Sequence, residues 1–389
     1  MKVEQIYDLV NEITKEEVVG EENVVKEDLS NIVDVGREYL GATDIENAAR
    51  SLIDHIGKVM FVIRPYNGAA PSIYRDAWEY GSIMEKIQAE IPEAEENESW
   101  ELQDRASYDE NIYYKPDVSA KFFNSKVTFE TPISMTDLQV RSAFSSATQM
   151  NSYASMLLDS VQKSTSIKLD GLVMRTINNA IATVIDSEFT GGSGINGHTG
   201  TKVINLLYLY NTHAGTNYTF AQAVLVPEFI RFCTYYISLY MDRMSKMSRI
   251  FNLGQKARYT PKDLQHLILL TDFAEASKIY LQSSTYHDDL VKLKGFETVP
   301  FWQGSGTAYD LTNCSKINVT IKKGSSTQDV STSGVLGVLF DHDALGISNL
   351  NQRVTSHYNA KGEFTNSWYK SDGSYFNDFN ENVIVFVAA

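Results

Sequence analysis

Apolar residues recur at helical spacing in three short stretches at the start of the chain. Ile6, Leu9, Val10 and Ile13 step by three and four, and Leu29 to Val35 predicts a further turn. Asp44 to Ile56 reads as a helix with Asp44 as its N-cap and Gly57 just past its end. Segments this short are not stable alone, so this region must lie on something else. After the Asn-Gly and Pro signals of YNGAAPS (66–72) the period changes from 3.6 to 2. Residues 79–92 read as a strand, with Gly81, Ile83 and Ile87 among alternating polar positions. Residues 119–133 read as its return, with Phe123, Val127, Phe129 and Ile133 on odd positions. Together they predict a long projecting hairpin, which needs a neighbour because an isolated hairpin is marginal in water.

Thr136-Asp-Leu-Gln139 then forms a capping box. Behind it Val140, Phe144, Ala147, Met150, Ala154, Leu157 and Val161 step by three and four, predicting a helix of about 30 residues and about 45 Å. Leu169 to Val184 reads as a second helix. GGSGINGHTGT (191–201) breaks the pattern, and Pro227 sits in the first turn of a helix running to about Met247. One further helix is expected, over either Pro261–Leu270 or Asp272–Tyr280. The closing VIVFVAA is a β-type run that places this end of the chain in a sheet. The class is α+β, in two sub-domains with one long helix as a spine.

Composition narrows the function classes. Of 389 residues 43 % are hydrophobic, with 22 Tyr and 18 Phe, which excludes a disordered chain. Two cysteines, Cys233 and Cys314, exclude a disulfide scaffold and point to a reducing compartment. The start lacks the apolar core of a signal peptide, and no run approaches the roughly 18 apolar residues of a membrane span. The formal charge of −15 argues against a surface that grips nucleic acid as a whole. It is unevenly placed: residues 1–30 carry −6 and residues 76–110 carry −10, leaving +1 for everything else. Between Glu228 and Asp263 seven basic residues face three acids. Glu93, Glu95, Glu96 and Glu98 of the hairpin tip are therefore candidates to meet Arg243, Lys246, Arg249, Lys256 and Arg258 across a subunit boundary, against the plainer reading of a solvated loop face.

Catalytic motifs find no support. The Gly-rich loop has Gly200-Thr201-Lys202, the wrong order for a P-loop, and no strand-turn-helix unit surrounds it as a dinucleotide site requires. Ser160 and Lys163 fit SxxK but lie within the long helix without SDN or KTG partners. No two of the seven histidines stand at i, i+4. Asp341-His-Asp343 has the chemistry for a cation and equally that of a turn. No catalytic, cofactor-binding or metal residue is assigned, and no cofactor is expected.

The order of elements resembles the major capsid protein of tailed bacteriophages, with its Hong Kong 97-type capsid fold. The resemblance rests on the amphipathic beginning, the hairpin YGSIMEKIQAEIPEAEENESWEL to VSAKFFNSKVTFETPISM, the junction ETPISMTDLQVRSAF into the spine helix, and the end GVLGVLFDHDALGISNL to NENVIVFVAA. It implies an N-terminal arm (1–60), the start of a peripheral domain (61–77), an extended hairpin (78–132), spine helix and peripheral domain (133–190), an axial domain (191–355) and return strands to the peripheral domain (356–389). It further implies pentamers and hexamers of this chain in an icosahedral shell, arm and hairpin lying over neighbouring copies. The shell encloses double-stranded DNA without reading its sequence and touches no membrane. A separate scaffolding protein and a portal are the expected partners, since the arm starts at once without a scaffolding segment. A loop crosslink is not expected, because Lys115 is the single lysine between Ile87 and Ala120. The place implied is the virion, with assembly in the host bacterial cytoplasm. An encapsulin-like nanocompartment shell is the alternative within the same fold, and a soluble hydrolase is the alternative from another class.

Overall fold

The computed structural model describes residues 73–75, 84–92, 94, 101–106, 111–115, 118–123, 125–136, 138, 147–282, 295–302, 314–323 and 325–389. The three expected N-terminal helical pieces, and Asp137 and Gln139 of the capping box, lie outside these residues.

A five-stranded sheet is the centre of one half of the molecule. Its order is β5 (Val203–Asn205), β13 (Val383–Val387), β10 (Val335–Asp341), β6 (Gln265–Leu270) and β7 (Phe296–Val299). The outer pairs are parallel and the inner pairs antiparallel. Both faces are covered, so the central strands are continuous apolar runs rather than alternating ones. In β13, Val383, Val385 and Val387 face the core around α1 (Ala147–Glu188), while Ile384 and Phe386 face the opposite one. That second core is built by α2 (Leu206–Ala214), α3 (Pro227–Met244) and α4 (Thr271–Gln282). Of the two positions expected for a helix near residue 270, the later one is helical. Residues 265–270 are instead strand β6, whose QHLILL run is buried on both sides.

The other half carries a four-stranded sheet in the order β1 (Tyr74–Arg75), β11 (Leu345–Asn359), β12 (Phe364–Asn377) and β4 (Lys126–Thr136). A two-stranded ribbon, β8 (Ile317–Lys323) with β9 (Ser326–Thr332), packs against α1 through Ile317, Ile321 and Val330. The expected division at 355/356 falls inside β11, which already belongs to the four-stranded sheet from Leu345. The last strand, β13, returns to the five-stranded sheet between β5 and β10.

Helix α1 corrects the expectation of two helices. It is continuous for 42 residues, about 63 Å. The weak stretch through Ser164, Thr165, Ser166 and Gly171 does not break it, because the next turns are buried between the two sheets. Leu172, Val173, Ile177, Ile181 and Val184 are all 0–2 % exposed. Burial of that size outweighs the roughly 1 kcal/mol that a mid-helix glycine costs. Earlier in the helix Met156, Lys163 and Ile167 are exposed.

The expected return strand is also divided. Residues 118–123 form β3 and close a hairpin with β2 (Met84–Ala89), whereas β4 pairs along its whole length with β12. The same period-2 pattern runs through both pieces, so alternation alone did not mark the division. Ile177→Ala is expected to destabilise the fold by about 2–5 kcal/mol and Met156→Ala by less than about 0.5 kcal/mol. Urea denaturation of both variants measures the contrast.

Candidate assembly site

In the β2–β3 hairpin, Met84 pairs with Phe123, Lys86 with Lys121 and Ala89 with Val118. Alternation directs Lys86, Gln88, Glu90, Ser119 and Lys121 toward the body of the subunit. Ile87 (64 % exposed), Phe122 (63 %) and Val118 (56 %) face outward. This reverses the usual arrangement: the inner face is charged and the outer face apolar. The sequence reading asked for a neighbour because an isolated hairpin is marginal in water, and it did not distinguish the two faces.

The inner face is held by ion pairs. Lys86 and Lys121 stand directly opposite each other, a repulsive arrangement unless an anion lies between them. Asp378, with a fully buried side chain, supplies it: Oδ2 is 3.0 Å from Lys86 Nζ and Oδ1 is 2.7 Å from Lys121 Nζ. Lys86 also donates to Glu381 Oε1 at 2.8 Å, and Gln88 donates to the same oxygen. One residue pair further out, Glu90 meets Lys256 at 3.0 Å and Arg258 at 3.3 Å, while Arg258 Nη2 donates to Gln88 Oε1 at 3.1 Å. Phe123 completes the contact against Phe376, with ring centroids 5.1 Å apart.

Each protonation state follows from these neighbours. Burial opposes the charge on Lys86, but its bond to Glu381 and the nearby Asp378 carboxylate raise its pKa above the usual lysine value. Burial likewise works against the Asp378 anion, and the Lys121 hydrogen bond and Lys86 charge hold its pKa below the ordinary carboxyl range. Lys256 and Arg258 lower that of Glu90. Lys86, Lys121, Asp378 and Glu381 were not singled out from the sequence. The available signal was two lysines at matching positions of a hairpin, which require a carboxylate from elsewhere.

Of the basic candidates, Lys256 and Arg258 are thus engaged by Glu90 of their own chain. Arg243 lies over the Tyr240 ring at 5.1 Å. Lys246 and Arg249 are exposed, and no described carboxylate pairs with them. The acidic candidates Glu93, Glu95, Glu96 and Glu98 lie outside the described residues.

The motifs weighed for catalysis have structural occupations. The Glu188 carboxylate accepts from the backbone amides of Thr201, Lys202 and Val203 (2.9–3.2 Å), so the end of the Gly-rich loop receives an anion from its own chain. Gly192, at φ +81°, lies where a Cβ would come within 2.8 Å of the Ser331 carbonyl. Ser160 and Lys163 are on the exposed side of α1. Asp341 accepts from Thr260 Oγ1 at 2.6 Å and from the Asp343 amide at 2.8 Å, which makes Asp341–Asp343 a turn. Among the described residues no group of three His, Cys, Asp or Glu side chains is placed to hold a metal. No helix among them is long and apolar enough to cross a membrane. Cys233 is fully buried, which pushes its thiol pKa well up.

A subunit whose projecting element is anchored by charge and presents apolar residues outward is a structural protein suited to packing against others, and its fold is that of a phage capsid subunit. The chain belongs to the Phi29-like phage major capsid protein family, whose model matches residues 10–387. It is similar to a chain in the capsid structure of Staphylococcus phage Andhra, at 11 % identity and a TM-score of 0.50, over 84 % of this chain and 86 % of that one. It is also similar, at 12 % identity and a TM-score of 0.45, to a chain in the capsid structure of the Cyanophage P-SCSP1u, over 84 % and 90 % of the two. No curated protein matches. The chain is therefore a structural component of the virion shell, in which copies associate with one another.

Removing one partner of a buried ion pair leaves the other charge uncompensated. Asp378→Ala is expected to destabilise hairpin docking by about 3–5 kcal/mol, and Lys256→Ala, whose side chain is 38 % exposed, by no more than about 1 kcal/mol. Hydrogen exchange at the Lys86–Ala89 amides reads the difference. Because folding depresses the Asp378 and Glu90 pKa values, their stabilisation is complete above the usual carboxyl range, about pH 4–5. It is withdrawn as pH falls through the lowered native values. Lys86, raised above 10.5, keeps its contribution until pH exceeds that value. The urea midpoint is expected to be flat through neutral pH and to fall in acid, with a shallower acid limb in Asp378→Asn.

Proposed function

We propose that copies of this chain close into an icosahedral shell of pentamers and hexamers around double-stranded DNA, in the Hong Kong 97-type arrangement. In this reading residues 1–60 are the arm, 61–77 begin the peripheral domain, and the extended hairpin spans 78–132. Helix α1 is the spine. The peripheral domain takes the sheet β1-β11-β12-β4, and the axial domain takes β5-β13-β10-β6-β7 with α2 to α4. The pairing of β11 and β13 supports this partition over a boundary at 355/356.

The observation that carries the reading is the outward apolar face of the hairpin. Ile87, Val118 and Phe122 form a contiguous stripe across the β2–β3 pair, joined by Ile91 (46 % exposed). A ribbon with such a face is covered when a second copy lies against it. The hairpin would thus lie over a neighbouring subunit while its charged face holds it to its own. The near-neutral body suits confinement of DNA without sequence readout. A separate scaffolding protein, a portal, and assembly in the host bacterial cytoplasm complete the reading.

Electron microscopy of the full chain co-expressed with its scaffolding protein tests it. Closed shells are expected from the unaltered chain. Ile87→Asp with Phe122→Asp is expected to leave a folded, soluble subunit, because both positions are solvent-facing, and to abolish shells. Normal shells from the double variant would remove the hairpin face from the assembly contact.

A further inference from the structure

A cleft of about 660 Å³ opens beside α2, between the loop that follows this helix, the Gly-rich loop and the turn before β10. Its walls include Asn196, Tyr208, Asn217, Tyr218, Phe220 and Ser333. The volume falls in the range of ordinary small-molecule sites. None of the 16 described residues that line it has a charged side chain or is a histidine, in a chain where 21 % of residues are charged. Polar groups are nonetheless plentiful. The side chains of Asn196, Asn217 and Ser333 are exposed and, like the Tyr208 and Tyr218 hydroxyls, bond to no described residue.

The walls are held in advance. Gly215, at φ +64°, ends α2 and turns the chain into the loop 216–219. Asn211 clamps that loop: its Oδ1 accepts from Thr216 Oγ1 and from the Tyr218 amide, and its Nδ2 donates to the Tyr218 carbonyl, all at 3.0 Å. Gln222 Oε1 accepts from the Thr219 amide at 3.0 Å, and the Tyr218 ring is stacked on Tyr210. On other parts of the wall, Ser315 Oγ accepts from the Gly334 amide at 3.1 Å and Asn205 Nδ2 donates to Ala389 O at 2.7 Å. A site ordered before its ligand arrives loses less entropy on binding.

These properties select a ligand class. A phosphate or carboxylate calls for Arg or Lys, and an ammonium group calls for a carboxylate; the described lining has no such side chain. A wholly apolar molecule would leave the amides and hydroxyls without partners. A sugar ring carries hydroxyls that both donate and accept, as Asn and Tyr side chains do, and C–H faces that lie against aromatic rings. We infer that this cleft binds an uncharged oligosaccharide, with the amides of Asn196 and Asn217 on its hydroxyls and Tyr208 and Tyr218 against its apolar faces. The cleft belongs to one subunit, so the inference is independent of the shell reading.

An array of neutral and acidic oligosaccharides probed with the purified full chain tests it, followed by calorimetric titration of the neutral sugar retained best. Neutral members are expected to be retained over sialylated and sulfated ones. Asn196→Ala with Asn217→Ala is expected to weaken binding of that sugar by about tenfold or more, through two lost hydrogen bonds. Circular dichroism is expected to be unchanged in this variant, because neither side chain bonds to the rest of the described fold. Tyr208→Phe, which keeps the ring, is expected to retain more of the affinity than Tyr208→Ala. Failure to retain any neutral sugar, preference for the acidic ones, or neutral binding that the double asparagine variant leaves intact would each overturn the inference.

Discussion

A buried carboxylate between two facing lysines fixes the hairpin on this subunit. Asp378 joins Lys86 and Lys121 within 3.0 Å, and Glu381 takes a second bond from Lys86. Well-packed apolar residues often match a buried ion pair for stability, so bulk stability is not its main contribution. What charge adds here is direction. An apolar inner face tolerates repacking, whereas two lysines, a bridging aspartate and a second acid admit one register of ribbon on body. The same choice leaves the apolar positions of β2 and β3 facing solvent.

The anchor depends on the framework behind it. Asp378 and Glu381 lie in the short connection between β12 and β13, where the chain passes from the four-stranded to the five-stranded sheet. The amides of Asp378 and Val383 bond to Ala344 and Phe251, so this connection is tied at both ends. Helix α1, buried between the sheets over its second half, keeps the two halves in register. In the proposed shell, a subunit built this way would offer its neighbours an element of fixed direction.

Much of this was legible in the sequence, for identifiable reasons. The spine helix, the Pro227 start of α3, the two arms of the hairpin and the closing β-run each carry a strong local period or cap. Three features were not local. The continuity of α1 through Gly171 is decided by burial against both sheets. The division of residues 118–136 into β3 and β4 is decided by partners, because β3 finds β2 and β4 finds β12 more than 220 residues away. The inward direction of Lys86 and Lys121 is decided by Asp378, some 257 residues beyond Lys121. Charge counting found the acidic hairpin and the basic 231–262 stretch, yet two of its five basic candidates, Lys256 and Arg258, are engaged within one subunit by Glu90.

The most direct measurement compares hydrogen exchange in β2 and β3 between the unassembled subunit and the closed shell at neutral pH. If the ion-pair cluster anchors the hairpin, the amides of Lys86–Ala89 and Val118–Phe123 are already protected in the free subunit, and assembly adds protection chiefly at the tip. Free exchange of these amides in the subunit, with protection arising only in the shell, would contradict it. The neighbour, rather than Asp378 and Glu381, would then hold the hairpin in place.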